Sequence, residues 1–357
     1  MPSSANLAHF TLAQGNTVVR ALGTLTPVDE HRALAVAAAQ KSAVVGLLPF
    51  DPAQPAYLMV PEQLMREEHE LPQETSQSAA SLVKGVDNPG YRAAVARAVE
   101  MMNRGQLDKV VLARLLNIEF SADLNLTGLV DTLRAQQPRA TVFSVQLPGG
   151  DYLMGASPEL VFRSDAAGFA TGPLAGSAAR TAPIGSTEDA QIGEALMKSA
   201  KDRAEHATVV NDIRQRLAPL TEELSIPAVP SLKSTPQLWH LGTDITGRLT
   251  PGLTSLDGAR AIHPTPAICG TPTEAARQLI GQLEPFERGF FGGLVGYMDA
   301  EGRGQWHLVL RCARVSKRRA VLFAGAGIVK DSVPASEHAE TATKFSTFAR
   351  ALGVSLN

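Results

Sequence analysis

The sequence has 357 residues, and its 33 Lys and Arg residues nearly balance 35 Asp and Glu residues, which gives a formal net charge of −2. This balance disfavours a nucleic-acid-binding protein, because phosphate binding requires clustered positive charge. Hydrophobic residues make up 44% of the chain and charged residues 19%, which is typical of folded proteins and excludes extended disorder. The length fits two domains or one large unit.

The sequence carries no sign of secretion or membrane insertion. Its two cysteines, Cys269 and Cys312, are too few for a disulfide framework and lack the spacing of a zinc site. The first 15 residues lack the basic and apolar segments of a signal peptide, and no stretch has the roughly 18 apolar residues of a membrane span. We therefore expect a cytoplasmic protein that binds neither membranes nor nucleic acid.

The first half of the chain predicts both helices and strands. An Ala-rich helix follows Asp29, and a strand follows it at 43–50. Residues 61–88 are polar and without periodicity, so we expect an exposed loop or a mobile segment there. A second helix is predicted from Pro89 to Arg104, because Pro is favoured near helix starts and Gly follows its end. Strands are predicted at 109–120, 141–147 and 152–163.

The second half predicts long helices and a set of strands joined by short turns. Helices are predicted at 186–217, 273–284 and 334–352. Three strand candidates lie between residues 290 and 329, and their short connections favour antiparallel pairing. The whole pattern predicts an α+β fold.

The helix predicted at 186–217 places acids near its apolar face. Val209, Ile213 and Leu217 follow at four-residue steps, and Glu205 lies one step earlier on the same stripe. Asp202 lies on the same side, so two carboxylates project together from a face expected to be buried. The ordinary alternative is that the stripe emerges into solvent at this end of the helix.

The last helix repeats this arrangement. Glu337, Glu340 and Lys344 share one face of it. The ordinary interpretation is a solvated face with a Glu340–Lys344 ion pair at i, i+4. Two helices that each offer paired carboxylates nevertheless suit Mg²⁺, which is usually held by one or two carboxylates, water and substrate oxygens.

Other candidate residues are ambiguous when taken singly. Lys109 begins an apolar strand, where a lysine is usually solvated. His240 and Arg311 interrupt apolar runs, as satisfied core residues also do. Gly325 and Gly327 would allow a close backbone approach to an anion.

Nine motifs follow one another between residues 85 and 352. They are KVVLAR (109–114), GASPELVFR (155–163), PLAGS (173–177), KDRAEH (201–206), LWHLGT (238–243), HPTPAICGTP (263–272), ERGFFGGLVGYMD (287–299), LVLRCARV (308–315) and FAGAGIVKDSVPASEHAETATKF (323–345). In this order they resemble the chorismate-utilising enzymes and, within that family, the isochorismate synthases. The resemblance implies a single large α+β domain of two packed antiparallel sheets flanked by helices. Residues 1–85 would be a variable part packed on the same unit, and residues 86–353 the catalytic domain.

The resemblance also implies an activity and a set of roles. The expected reaction is a Mg²⁺-dependent conversion of chorismate to isochorismate, in which water adds at C2 and the C4 hydroxyl leaves. Lys109 would be the general base and Glu159 the general acid, and burial would raise the pKa of the acid as the chemistry requires. The residues implied for the metal are Glu205 and Glu340 directly, with Glu337 and Asp202 through water.

The implied substrate-binding residues come from the same motifs. Arg311 and the Gly325 backbone would bind the enolpyruvyl carboxylate, since an arginine fork matches a carboxylate. The remaining residues, which would line the ring and its carboxylate, are Gly176, His240, Ala267 and Lys344. The pair Ala178 and Ala179 departs from the basic residues that many relatives have after PLAGS.

Two positions bear on which member of the family the chain resembles. Lys109 favours water over ammonia, so we expect no amidotransferase subunit, and the resemblance implies a monomer. Ala267 resembles isochorismate synthases, whereas salicylate synthases tend to carry threonine there. The alternatives are a salicylate synthase and a non-catalytic chorismate-binding homologue. The product would feed siderophore or menaquinone biosynthesis, between which the sequence does not choose.

Overall fold

The computed structural model describes residues 7–234 and 238–356, which form eight α-helices and twenty strands. The helices are α1 (Glu30–Gln40), α2 (Pro89–Asn103), α3 (Leu126–Gln136), α4 (Thr187–Lys198), α5 (Ala200–Leu217), α6 (Ser255–Ile262), α7 (Thr273–Leu283) and α8 (Pro334–Ala351). The strands are β1 (Phe10–Gln14), β2 (Thr17–Val28), β3 (Val44–Leu48), β4 (Tyr57–Glu68), β5 (Ala80–Lys84), β6 (Lys109–Phe120), β7 (Thr141–Gln146), β8 (Tyr152–Ser157), β9 (Leu160–Asp165), β10 (Gly168–Thr171), β11 (Leu174–Ala179), β12 (Thr221–Ser225), β13 (Ser231–Ser234), β14 (Leu238–Gly242), β15 (Ile245–Leu249), β16 (Gly270–Thr271), β17 (Leu294–Met298), β18 (Gly304–Leu308), β19 (Cys312–Val315) and β20 (Arg319–Ile328). Within these residues no helix is long and apolar enough to cross a membrane.

Seventeen strands form one continuous antiparallel sheet. Its order is β12-β15-β10-β9-β18-β17-β3-β4-β2-β1-β7-β8-β19-β20-β6, and β5 and β16 pair with opposite ends of β6. The remaining strands form a small antiparallel sheet in the order β11-β14-β13. The predicted α+β antiparallel class is therefore confirmed.

The large sheet folds on itself into two layers. Apolar side chains from both halves of the strand order pack between the layers, such as Leu47 and Val295 from one half and Phe143 and Leu153 from the other. Helices α1, α2, α5, α6 and α7 contribute to a second apolar cluster, and α3 and α8 contribute to a third. The two sheets expected from the sequence are thus two halves of one sheet, with helices outside.

Three of the predicted helices, α2, α7 and α8, have the bounds expected from the sequence to within a residue. Helix α2 begins at Pro89, where the side chain of Asn88 accepts a 2.9 Å hydrogen bond from the Tyr91 backbone. Helices α7 and α8 lie within a residue of their predicted bounds. Helices α3 and α6 were missed, although Thr254 and Asp257 form a capping box at the start of α6.

The prediction of a loop at 61–88 was wrong for 61–68 and for 80–84, which are strand. Strand β4 runs to Glu68 because it pairs with β2 along most of its length, and β5 pairs with β6. The 12-residue β2 supplies the backbone partner for this polar segment. The local sequence does not predict the pairing, because strand formation depends on tertiary context. Neither helix nor strand is assigned at 69–79.

Two further predictions needed correction. The helix predicted at 186–217 is broken at Ser199, whose hydroxyl accepts a 3.3 Å hydrogen bond from the Asp202 backbone and caps α5. The region 290–329, for which three strands were predicted, contains four, because the chain leaves the sheet at 309–311. Strands β17 and β18 pair antiparallel, as do β19 and β20, but β18 and β19 pair with other strands.

Candidate active site

Lys109 begins β6 beside Gly327 of the neighbouring strand β20. A Cβ atom on Gly327 would lie 3.2 Å from Lys109 Cε, so the glycine leaves room for the lysine side chain. Lys109 Nζ lies 3.6 Å from Glu205 Oε1 on α5, and these side chains are 26% and 44% exposed. Lys109 is therefore a partly enclosed cation held between a strand and a helix.

The acids of α5 do not lie where the apolar pattern placed them. His206, rather than Glu205, takes the buried position before Val209, and its Nε2 lies 2.7 Å from Thr243 Oγ1. Glu205 lies beside that stripe and faces Lys109 instead. Asp202 accepts a hydrogen bond from Ser199 at the start of the helix, so one of its oxygens serves the cap. Glu205 is exposed, which agrees with the alternative that the stripe emerges into solvent at this end of the helix.

A second lysine–carboxylate pair lies near the first. Lys344 Nζ on α8 donates a 2.8 Å hydrogen bond to the Gly325 carbonyl and lies 2.6 Å from Glu340 Oε1. Residues two apart on a strand are separated by about 7 Å, so Gly325 and Gly327 bring the two pairs to the same end of the β6–β20 ladder. Burial, together with the charge of Glu340, raises the pKa of Glu337 on the same helix.

Arg311 lies in the break between β18 and β19, in a left-handed backbone conformation with φ of 47°. Burial lowers the pKa of its guanidinium, and the charges of Glu340 and Glu159 oppose that shift. Within residues 7–234 and 238–356, this guanidinium makes neither a hydrogen bond nor an ion pair. An arginine held partly buried with its donors free is suited to bind a carboxylate.

Glu159 lies between β8 and β9 at a narrow cavity. Burial raises the pKa of its carboxyl to about 7, although the positive charge of Arg311 acts in the opposite direction. Ala267 lines the same cavity, as do Val209 and Ile213 of α5. Because Val209 lies one turn after Glu205, α5 places the cavity next to the Lys109–Glu205 pair. The site thus contains a carboxyl that holds its proton near neutral pH.

His240 and Gly176 belong to the small sheet at the start of α5. His240 Nδ1 lies 2.7 Å from the hydroxyl of Ser177, its partner on the neighbouring strand, and burial lowers the pKa of the imidazole. Gly176 has φ of 76°, and a Cβ atom there would lie 3.1 Å from Asp202 Cβ. The glycine therefore lets the strand approach the helix closely.

Sequence reasoning missed three polar residues in this region, Ser177, Thr243 and Thr265. Ser177 positions the His240 ring, and Thr243 bonds His206, yet both lie inside motifs quoted above. The antiparallel register that joins β11 to β14 would have identified Ser177. Thr265, in the HPTPA segment, lines the cavity beside Glu159.

The carboxylates expected to bind a metal lie on two helices, Asp202 and Glu205 on α5 and Glu337 and Glu340 on α8. Across the described ranges, no group of three His, Cys, Asp or Glu side chains is arranged to hold a metal ion. Glu205 and Glu340 instead each face a lysine, so ammonium groups balance their charge. A cation at these acids would therefore depend on water and ligand oxygens for the rest of its coordination.

Comparisons with known proteins agree with this geometry. The family model described as "Chorismate binding enzyme" matches residues 54–353. The chain belongs to this family. Isochorismate synthase EntC of Escherichia coli strain K12 is 40% identical over 319 residues, an alignment that covers 87% of this chain and 81% of the relative.

Solved structures of this family have the same fold. DhbC from Bacillus anthracis superposes with a TM-score of 0.86 at 35% identity, and the alignment covers 98% of this chain and 97% of that one. MenF, the menaquinone-specific isochorismate synthase from Escherichia coli, superposes with a TM-score of 0.84 at 25% identity, over 96% and 88% of the two chains.

Proposed function

We propose that this protein is an isochorismate synthase, which converts chorismate to isochorismate. The observation that carries the proposal is the Glu159 carboxyl, whose pKa of about 7 keeps a proton available for a departing hydroxyl. Hydroxide is a poor leaving group, so the C4 oxygen must be protonated as its bond to carbon breaks. The similarity to isochorismate synthases supports the same reaction.

Lys109 is the proposed general base. It takes a proton from the water whose oxygen bonds to C2, while Glu159 gives a proton to the C4 hydroxyl, which leaves as water. The ring double bonds shift between these two carbons, so one water enters and one departs. The step requires Lys109 in its neutral amine form, which becomes an ammonium as it takes the proton. The space beside Gly327 and the contact with Glu205 position this side chain for the task.

The guanidinium of Arg311, which has no partner among the described residues, is the proposed site for the enolpyruvyl carboxylate, together with the backbone at Gly325. The second carboxylate, on the ring, would lie nearer the lysine–carboxylate pairs. The residues proposed to line the ring are Gly176, His240, Ala267 and Lys344.

We propose Mg²⁺ as the cofactor, because the acids nearest to the lysines are hard oxygen donors. Glu205 and Glu340 would hold it, and Glu337 and Asp202 would reach it through water. When bound, the ion would supply positive charge to the ring carboxylate. The two ammonium groups already occupy positions where a cation is favoured.

The finer assignments remain part of the proposal. We expect a cytoplasmic monomer without an amidotransferase subunit, and a product that enters siderophore or menaquinone biosynthesis. The small Ala267 side chain favours isochorismate as the final product.

The test is incubation of the purified protein with chorismate, in Mg²⁺ or in EDTA, followed by chromatography of the products. Isochorismate formed only with Mg²⁺ is the expected result. Salicylate with pyruvate would assign the protein as a salicylate synthase, and unchanged chorismate would favour a non-catalytic binding protein. Equal activity in EDTA would remove the metal from the proposal.

A further inference from the structure

Thr265 is a buried residue whose hydroxyl has no partner within the described chain. The residue is 6% exposed, and its Oγ1 makes no hydrogen bond to residues 7–234 or 238–356. Its backbone is well fixed, because its carbonyl accepts hydrogen bonds of 3.0 and 3.1 Å from the amides of Ile268 and Cys269. A buried hydroxyl without a partner costs stability, so its retention calls for an explanation.

The surroundings of Thr265 suggest what that hydroxyl binds. It lines the same narrow cavity as Glu159 and Ala267, walled by apolar residues of α5 and α6. The cavity leaves about 10 Å³ for the centre of a water molecule. That volume is about the minimum for a single water, so the cavity accepts a hydroxyl-sized group and little more.

We propose that Thr265 is a substrate-binding residue whose hydroxyl binds the departing C4 hydroxyl of chorismate and orients it towards the proton on Glu159. This inference rests on the proposed function. The leaving oxygen has one hydrogen of its own and takes a second from Glu159. If its own hydrogen is bonded to Thr265 Oγ1, a lone pair is turned towards the acid. The departing hydroxyl becomes a more acidic donor as it is protonated, so this bond strengthens in the transition state.

Removal of the Thr265 hydroxyl should lower kcat without lowering the thermal midpoint of the protein. Thr265→Val has nearly the same shape and removes only the hydroxyl, so it leaves no lost protein partner behind. We expect its thermal midpoint to equal or exceed that of the wild type. Its kcat for chorismate should fall at least tenfold, with less than a threefold change in KM, because the lost bond acts mainly in the transition state. Thr265→Ser keeps a hydroxyl and should stay within threefold of wild-type kcat.

Thr132 provides a matched control. Thr132 lies in α3 and is 2% exposed. Its hydroxyl accepts a 2.9 Å hydrogen bond from the Thr75 amide. Thr132→Val should therefore lower the thermal midpoint and leave kcat unchanged, which is the reverse of the result expected at Thr265.

Other results would overturn the proposal. A lower thermal midpoint for Thr265→Val would mean that the hydroxyl has a structural partner. Wild-type kcat in that variant, or an equal loss in Thr265→Ser, would mean that the hydroxyl does not bind the substrate. In either case an active wild type would leave the proposed function standing, whereas a wild type inactive on chorismate would overturn both.

Discussion

Glu159 lies in an environment unlike that of an ordinary surface carboxyl. Burial against α5 and α6 raises its pKa to about 7, and this direction is the one a general acid needs. Such an acid acts only while protonated. Its fraction in that form falls as the pH rises through the pKa, so the activity should fall on the alkaline side.

We therefore predict that wild-type kcat decreases as the pH rises above about 7, and that Glu159→Gln lowers kcat at least a hundredfold at pH 7. Glutamine cannot release a proton to the leaving oxygen. The measurement is a series of initial rates between about pH 6 and about pH 9. If the glutamine variant kept wild-type kcat, Glu159 would not be the acid.

Lys109 can be tested with little disturbance of the fold, because its side chain is 26% exposed. Lys109→Ala should abolish isochorismate formation, since no base then accepts the proton of the attacking water. Lys84→Ala, on the exposed β5 that pairs with the same strand, should retain full activity. Both rates are read by chromatography of chorismate and its product. Substantial turnover by Lys109→Ala would assign the base elsewhere.

At the scale of elements, local signals predicted the start of α2 but not strand β4. Asn88 and Pro89 defined the start of α2 from the sequence alone. Strand β4 is polar and exposed along much of its second half, yet it pairs with β2 as far as Glu68. Its pairing comes from a distant segment rather than from its own pattern, so no local reading could have identified it.

The site was predicted through the order of its motifs, but its contacts were not. The sequence put Glu205 and Glu340 on helices, without indicating that each would face a lysine. It also assigned Glu205 to the buried stripe, because Glu205 and His206 both lie about one turn before the next apolar residues. Only the packed structure decides between neighbours on a helix surface.

Strand β20 approaches Lys109 closely at Gly327, so this glycine should be sensitive to a single added methyl group. Gly327→Ala would bring a Cβ atom to 3.2 Å from Lys109 Cε, and the lysine would have to shift by a few tenths of an ångström. We expect kcat to fall about tenfold, because small misplacements of catalytic groups are costly.

The matched control for this change is Gly281→Ala in α7, where an added Cβ has no neighbour within 4 Å. That variant should keep kcat and gain up to about 1 kcal/mol in the free energy of unfolding, because alanine favours a helix. Steady-state rates and chemical denaturation would measure both variants. Unchanged kcat in Gly327→Ala would show that the lysine position tolerates the shift.

At the scale of the whole molecule, a buried ion pair connects the catalytic strand to its surroundings. Glu284 and Arg288 are 2% and 4% exposed at their side chains. Glu284 accepts a 2.7 Å hydrogen bond from the Ala113 amide, and Arg288 donates one of 2.6 Å to the Val111 carbonyl. The pair therefore holds β6 just beyond Lys109.

Removal of one partner should destabilise the entire fold. Glu284→Gln leaves the charge of Arg288 buried without its counterion, and we expect a loss of about 3–5 kcal/mol in the free energy of unfolding. The control is Glu274→Gln on α7, whose ion pair with Arg277 is exposed and should contribute less than about 1 kcal/mol. Urea denaturation measures both losses, and similar values for the two variants would refute this role for the buried pair.

The topology of the large sheet also determines the order in which its strands can pair during folding. Strand β3 pairs with β17, so the contact between Val44 and Met298 forms only after both segments have been synthesised. The same holds for the pairing of β6 with β20. Contacts between such distant segments slow folding, because a long loop has to close before they form. During synthesis β1 to β4 can pair with one another, but one edge of β3 stays open until β17 has emerged, and α8, which carries Lys344, emerges after β20. Catalytic competence is therefore acquired late, and the open strand edges of the nascent chain are where we expect aggregation or chaperone binding to occur.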